Sequence, residues 1–255
     1  MGTALVTGAS AGIGRAFASA LAARGDDLVV VARDTARLDQ LASELRGAGG
    51  VNVEVLPADL TTNDGVAAVE ERARARVDLL VNNAGFGTFG KFVELPIERE
   101  AQEIALNVLA LVRLTHAALP GMLERRGGGV INVSSLACYQ PTPMNATYGA
   151  TKAYVTSFSQ ALHEETRGTG VKVMVLCPGF TRTEFQARAE VDSSRVPDFL
   201  WQSAEQVVAA ALRSYDRGRA VCVPGPLNQA GAAFTSALPA GITRRIAAAV
   251  LPRVE

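Results

Sequence analysis

Seven short apolar runs alternate with longer stretches of helical periodicity along this chain, an order that commits it to a parallel sheet with helices packed on both faces. The runs fall at residues 4–6, 28–32, 51–56, 79–81, 130–133, 171–176 and 220–223. Several are unbroken Val, Leu and Ile, as strands buried on both faces should be. Helical stretches are predicted at 14–24, 36–45, 63–75, 98–125, 148–167 and 204–215, with glycine turn signals at 47–50, 127–129 and 168–170. No repeat and no Pro-rich or charged linker divides the chain. The expectation is an α/β fold: one domain over residues 1–255, with a doubly wound, mostly parallel sheet of about seven strands. At 48% apolar and 20% charged, the chain has enough apolar side chain for such a core.

Two segments depart from the rhythm. Residues 181–197 are polar and irregular, longer than the usual α/β connection of about 2–6 residues. With the stretch to 203 they read as a substrate loop region, since ligands sit at the carboxyl ends of parallel strands; a plain surface excursion is the alternative. Residues 220–243 carry no charge, but Pro224, Pro226, Pro239, Asn228, Gln229 and three glycines interrupt them. No membrane span is expected there. The apolar tail 224–255 is left as a surface for peripheral contact with lipid or a partner.

Basic and acidic residues number 25 each, so no whole-molecule field gathers nucleic acid or anionic membrane. Cys138, Cys177 and Cys222 are too far apart for a disulfide framework or a zinc motif and read as reduced thiols in a cytoplasmic protein. His116 and His163 lie within helical stretches without carboxylates at metal spacing, so no metal is expected. The first apolar run begins at Ala4 with no basic segment before it, and no secretory leader is expected.

Chemistry enters directly after the first strand, at Thr7, Gly8, Ala9, Ser10, Ala11, Gly12, Ile13 and Gly14. Small residues let the backbone approach a pyrophosphate, and free amides at the helix start donate to it. The glycine spacing is not the common dinucleotide fingerprint, and a structural turn is the alternative reading. Farther along, Tyr148 and Lys152 stand four apart and share one helix face. A phenol has a reference pKa of about 10; a neighbouring ammonium favours its phenolate and lowers that value. In an isolated helix the same pair is an ordinary surface combination.

These segments occur in order with Asp59-Leu60, Asn82-Asn83-Ala84-Gly85, Asn107, Ser135, the run from Tyr148 to Lys152, and Pro178-Gly179 with Thr181. On them, nearly the whole chain resembles the short-chain dehydrogenase/reductase family, in particular bacterial members named after a D-alanine-transfer-operon reductase. The resemblance implies a Rossmann fold and an oxidoreductase that moves hydride between a nicotinamide and a carbonyl carbon. It makes Tyr148 the acid in reduction and the base in oxidation, helped by Lys152 and the positive charge of the oxidised nicotinamide. Lys152 would also hold the nicotinamide ribose. Ser135, thirteen residues before Tyr148, would bond the substrate oxygen; Ser134 is the competing candidate, and since adjacent residues leaving a strand point in different directions only one of the two should face the site. Asn107 would support a water-linked proton path, with a purely structural Asn as the alternative.

The resemblance also implies a cofactor site. Gly8, Ser10, Gly12, Ile13 and Gly14 would cradle the phosphates, and Asp59 with Leu60 the adenine. Asn83, Ala84 and Gly85 would approach the ribose, while Pro178, Gly179 and Thr181 meet the nicotinamide. Asp59 has a second reading as the cap of the next helix, and Asn82 reads as a tie between strands. Arg33, after the second strand, favours NADP(H) over NAD(H), because an Arg there accommodates the extra phosphate. Asp34, shifted by one, would argue the reverse. Ala11 stands where many NADP-using relatives carry a base, and Arg15 is a second phosphate candidate.

Segments 86–92, 136–144 and 180–201 should line the pocket, and their Phe, Leu, Met and Trp content suits a small apolar carbonyl or alcohol. Phe199 and Trp201 would cover a substrate or anchor the next helix, and Cys138 reads as a packed thiol. Relatives imply a homodimer or homotetramer. Two other functions fit the same pair: an epimerase or isomerase that retains its cofactor, and a nonenzymatic nucleotide-binding protein.

Overall fold

The computed structural model describes residues 2–185, 196–239 and 241–245. At its centre β1 (Thr3–Thr7) pairs in parallel with β2 (Asp27–Ala32) on one side and β4 (Leu79–Asn82) on the other. β3 (Val53–Pro57) continues beyond β2, while β5 (Gly129–Val133), β6 (Lys172–Leu176) and β9 (Val221–Cys222) continue beyond β4. The order β3-β2-β1-β4-β5-β6-β9 is parallel throughout and reverses direction between β1 and β4. This is the doubly wound, seven-stranded sheet that the apolar runs predict.

Alternate residues of each strand feed opposite cores. Ala4, Val6, Leu28 and Val30 pack on one face with Phe17 and Leu21 of α1 (Gly12–Ala22), and with Leu38 and Leu41 of α2 (Thr35–Gly49). Val207, Val208 and Leu212 of α7 (Ala204–Asp216) complete that layer. Leu5, Val29, Val31 and Leu80 face the other way, against Val66 and Val69 of α3 (Asn63–Arg74) and Leu114 and Met122 of α5 (Leu111–Glu124). Val155 of α6 (Ala146–Glu165) meets Val175 on that same side.

Three predicted elements differ. The stretch 98–125 is not a uniform α-helix: α4 (Ile97–Ile104) passes through a π-helical turn, Ala105–Ala110, before α5. The whole run is long and apolar enough to cross a bilayer, yet Leu111, Leu114, Ala118 and Met122 bury it against the sheet. Within the supposedly irregular 181–197, β7 (Thr181–Arg182) pairs with β8 (Gln202–Ser203); residues 186–195 lie outside the described residues. The tail also contains α8 (Pro226–Ala237), opened by a proline at its start, while 240 and 246–255 lie outside the described residues. Smaller shifts occur at ends: α2 runs through Gly47 and stops at Gly50, whose φ of 62° takes the left-handed conformation open to glycine.

A polar string stitches the second core. The Asn82 amide donates to Asn132 across the β4–β5 pair at 2.9 Å and to Thr115 at 3.0 Å, and the Asn132 amide donates to Ser159 at 2.9 Å. Asn82 is thus the strand tie its position suggested. Asn132 is fully buried, so cutting it to alanine leaves two hydrogen-bonding groups stranded in a dry interior. Asn132→Ala should lower unfolding stability by about 2 kcal/mol or more, read as a drop in urea midpoint with the slope unchanged.

Candidate active site

The carboxyl ends of β1 and β4 are laced together. Thr7 Oγ1 donates to the Val81 carbonyl at 3.3 Å and accepts the amides of Asn83 and Ala84, each at 3.0 Å. Asn83 Nδ2 returns to the Thr7 and Gly8 carbonyls at 2.9 and 3.3 Å. The glycine loop is thereby drawn so close that side chains cannot fit. A Cβ on Gly14 would lie 2.2 Å from the Gly8 carbonyl oxygen, and one on Gly8, at φ 67°, would lie 2.8 Å from Asn83 Nδ2. α1 follows with no side-chain cap at Ala11 and no acid in its first turn, so its leading amides and the positive end of its dipole are left for an anion. Ser10 and Ile13 are partly buried, Ile13 against the core. This cradle fits a dinucleotide pyrophosphate.

Tyr148 and Lys152 lie on α6, facing the ends of β4 and β5. Lys152 is 5% exposed, donates to the Val133 carbonyl at 3.0 Å, and holds its ammonium 5.5 Å from the centre of the Tyr148 ring. Burial pulls the Lys152 ammonium down to about 8, against the nearby Glu103 carboxyl. The Tyr148 phenol is pushed up to about 12 by burial, while the Ser135 hydroxyl beside it acts in the opposite sense. Here the sequence expectation needs correction. In the protein alone desolvation, with the Glu103 charge, outweighs the Ser135 hydrogen bond, and the phenol holds its proton more tightly than a free tyrosine.

The two neighbouring serines are differently occupied, the Ser135 hydroxyl accepting only the Ala137 amide at 3.2 Å among the hydrogen bonds of the described residues. Ser134 is buried, donates to the Lys152 carbonyl at 2.8 Å and shares a 2.8 Å hydrogen bond with Thr156, so it is spent on α6. Ser135 begins the short 3-10 turn Leu136–Tyr139 and faces Tyr148. Asn107 sits in the π-helical turn with its carbonyl accepting the Phe86 amide at 3.1 Å. Its amide donates to Phe86 O at 2.8 Å and Thr151 Oγ1 at 3.2 Å. These contacts dock the broken helix beside Gly85, where a Cβ would come within 2.9 Å of Asn107 and 3.5 Å of Lys152.

At the far end of the crevice, Asp34 is consumed as the N-cap of α2, accepting the Arg37 amide at 3.1 Å. Arg37 pairs with Asp34 and Glu184, and Arg15 with Glu44 at 2.5 Å. Arg33 is 70% exposed, with Asp59 4.0 Å away. Asp59 is not a helix cap, because Thr62 fills that place for α3. Burial works against the Asp59 charge, but the Thr61 amide and hydroxyl, with Arg33, hold its carboxyl below the ordinary value. Leu60 is buried in the core, leaving only its backbone to the crevice. Beyond β6, the Pro178 carbonyl accepts from Leu136 at 2.9 Å and Thr181 donates to the Gly179 carbonyl at 3.0 Å.

Around Tyr148, two predicted lining segments join, the Gly90 amide donating to the Met144 carbonyl at 2.8 Å. Gly87 lies under the Tyr148 ring, and Phe185 packs beside that ring with centroids 5.5 Å apart. Trp201 packs on Phe180, whereas Phe199 is 72% exposed. The Cys138 and Cys177 thiols are free and 3.9 Å apart. Sequence reasoning missed Glu100 and Glu103, buried beside the Asn107 turn, and the half-buried Thr88 that both reach. The available signal was their shared face: positions 100, 103 and 107 repeat at helical spacing.

Residues 2–193 match the short chain dehydrogenase family. A short-chain dehydrogenase from Sphingobium yanoikuyae, solved in complex with NADPH, is 40% identical. It superposes with a TM-score of 0.85, covering 94% of this chain and 96% of that one. The bulky-bulky ketone specific alcohol dehydrogenase from Comamonas testosteroni is 34% identical at a TM-score of 0.80, covering 94% and 95%. Hydroxysteroid dehydrogenase-like protein 1 of Gallus gallus is 35% identical over 213 residues, 82% of this chain but only 64% of that relative's length. A likeness that takes in both the sheet with its crevice and most of the sequence settles the matter: this chain belongs to the short-chain dehydrogenase/reductase family.

Proposed function

We propose that this chain interconverts a carbonyl and an alcohol with NADP(H), Tyr148 transferring the proton. The observation that carries the reading is the convergence of Tyr148, Ser135 and Lys152 beside the glycine cradle. When bound, the nicotinamide supplies the hydride. Ser135 bonds the substrate oxygen and orients it toward the phenol. Because burial keeps Tyr148 protonated well above neutral pH, it is poised as the acid for reduction. In oxidation the phenol must lose that proton, which the buried Lys152 cation beside it favours. Asn107 holds the π-helical turn against Phe86 and Thr151, which keeps α6 and its two residues in register with the crevice.

For the cofactor, the support is division of labour among charges. Asp34 is committed to capping, and Arg15 and Arg37 to carboxylates, whereas among the described residues Arg33 has only Asp59 at 4.0 Å. A guanidinium in that place suits a ribose phosphate. Gly8, Ser10, Gly12, Ile13 and Gly14 would hold the pyrophosphate. Asp59 and the Leu60 backbone would take the adenine, Asn83, Ala84 and Gly85 the ribose, and Pro178, Gly179 and Thr181 the nicotinamide. Residues of segments 86–92 and 136–144, with Phe180 and Phe185, would line an apolar pocket suiting an apolar ketone or its alcohol. The names of the Comamonas and Gallus relatives point to substrates of that kind. The reading also makes the protein a cytoplasmic homodimer or homotetramer. Ile97 and Ile104, 64% and 49% exposed on the long helix, support a contact there, and the 224–255 tail is left for peripheral contacts.

Two experiments test this. With NADPH and a panel of bulky ketones followed by nicotinamide absorbance, Tyr148→Phe should cost about a thousandfold in turnover while NADPH binding, read by fluorescence, persists. Full activity in that variant would remove Tyr148 from the chemistry. Arg33→Ala should erase about ten- to a hundredfold of preference for NADPH over NADH, the worth of one charge-assisted contact. An unchanged ratio of kcat/KM values would assign the phosphate elsewhere.

A further inference from the structure

Glu103 ends the last turn of α4, one helical turn before Asn107, and none of its surface reaches solvent. Its Oε2 accepts the Thr88 amide and approaches the Thr88 hydroxyl, both at 2.9 Å, while Oε1 has no partner among the described residues. Glu100, 3% exposed, reaches the same hydroxyl at 2.5 Å and accepts from Thr147, the residue before Tyr148. Two buried carboxyls therefore converge on one hydroxyl that carries one proton. A hydroxyl donates once, so the second contact is satisfied when a carboxyl brings a proton of its own. The fully buried, unpartnered Oε1 says the same, because a stranded oxygen is far costlier on a charged acid than on a neutral one.

We propose that Glu103 is a positioning residue for proton transfer at Tyr148: a buried acid that loses and regains its proton and, through its charge, sets how firmly the phenol and the Lys152 ammonium hold theirs. The proposal rests on the reading of Tyr148 as proton donor. The titratable groups acting on Glu103 are Glu100 on its own helix and Lys152 on α6, and its charge in turn reaches Tyr148. Burial, with the Glu100 charge, pushes the Glu103 carboxyl up to about 7, against the Thr88 hydrogen bonds and the Lys152 cation. Below that pH the acid is neutral and the pair feels no anion. Above it the negative charge raises the proton affinity of phenol and ammonium together. Tyr148 is thereby kept a proton donor as the solution turns alkaline.

In ketone reduction, Glu103→Gln should move the alkaline limb of the pH profile down by about one unit, with Glu103→Asp restoring it in part. Stability supplies a second readout. A carboxyl raised from 4.5 to about 7 by folding contributes its stabilisation in full below 4.5 and loses it as the pH climbs through 7. The melting temperature of Glu103→Gln relative to the unmodified protein should therefore rise between those two values. Infrared spectroscopy of the unmodified protein gives a third, needing neither cofactor nor substrate. A protonated-carboxyl band should vanish as the pH rises through about 7, be missing in Glu103→Gln, and move to higher pH in Lys152→Met, which removes the opposing cation. An alkaline limb unmoved in folded Glu103→Gln overturns the proposal. So does the absence of any band titrating near 7 that responds to Lys152→Met, and this arm decides if Glu103→Gln does not fold. If no ketone is turned over while the band behaves as expected, the proposed function fails and the charge coupling stands.

Discussion

The lacing of β1 to β4 through Thr7 and Asn83 is the constraint on which the rest of this site depends. The sheet reverses its winding between those strands, so their connections leave in opposite directions and a crevice opens at their carboxyl ends. Five hydrogen bonds from two side chains decide how wide it opens. They pull the loop after β1 so close to the strand next door that glycine alone fits at positions 8 and 14. They also set α1 at the mouth, its start without a side-chain cap or an acid in the first turn. The anion-binding character of the crevice follows from a packing requirement as much as from its charge.

Desolvation is the second organising force, and at this site it acts with opposite signs. Enclosing an acid that ionises to an anion raises Tyr148 to about 12, and enclosing a base that ionises to a cation lowers Lys152 to about 8. A gap that would be small in water becomes large, with the phenol neutral and the ammonium within reach of losing its charge. The simpler picture, an ammonium that acidifies its neighbour, neglects this cost. Charge balance then depends on what else is buried nearby, which here means Glu103.

Legibility along the chain tracks the range of the interactions. The strands were readable because each is an apolar run whose alternate residues serve two cores, and the Tyr148–Lys152 pair because helical spacing alone puts both on one face. The break at Ala105–Ala110 was not readable. Nothing local forbids a straight helix there; the Asn107 side chain opens the turn by bonding to Phe86 and Thr151, partners remote in sequence. The same holds for α8, whose apolar and proline-interrupted sequence reads as a tail until Asn228 is seen reaching Gln202 at 3.0 Å.

What the sequence determined by itself was the order of elements, the parallel doubly wound sheet, and the candidate residues carried at its strand ends, because periodicity and steric freedom belong to neighbours along the chain. Tertiary structure alone decided the rest. It spent Ser134 on α6 and left Ser135 beside Tyr148, set Asp34 to capping while leaving Arg33 at the crevice, and enclosed Glu103 against Thr88. Each is a question of which group is already occupied and which is cut off from water. Both conditions are created only when distant segments pack, since hydrogen-bond competition and loss of solvent act through space and leave no mark in the order of residues.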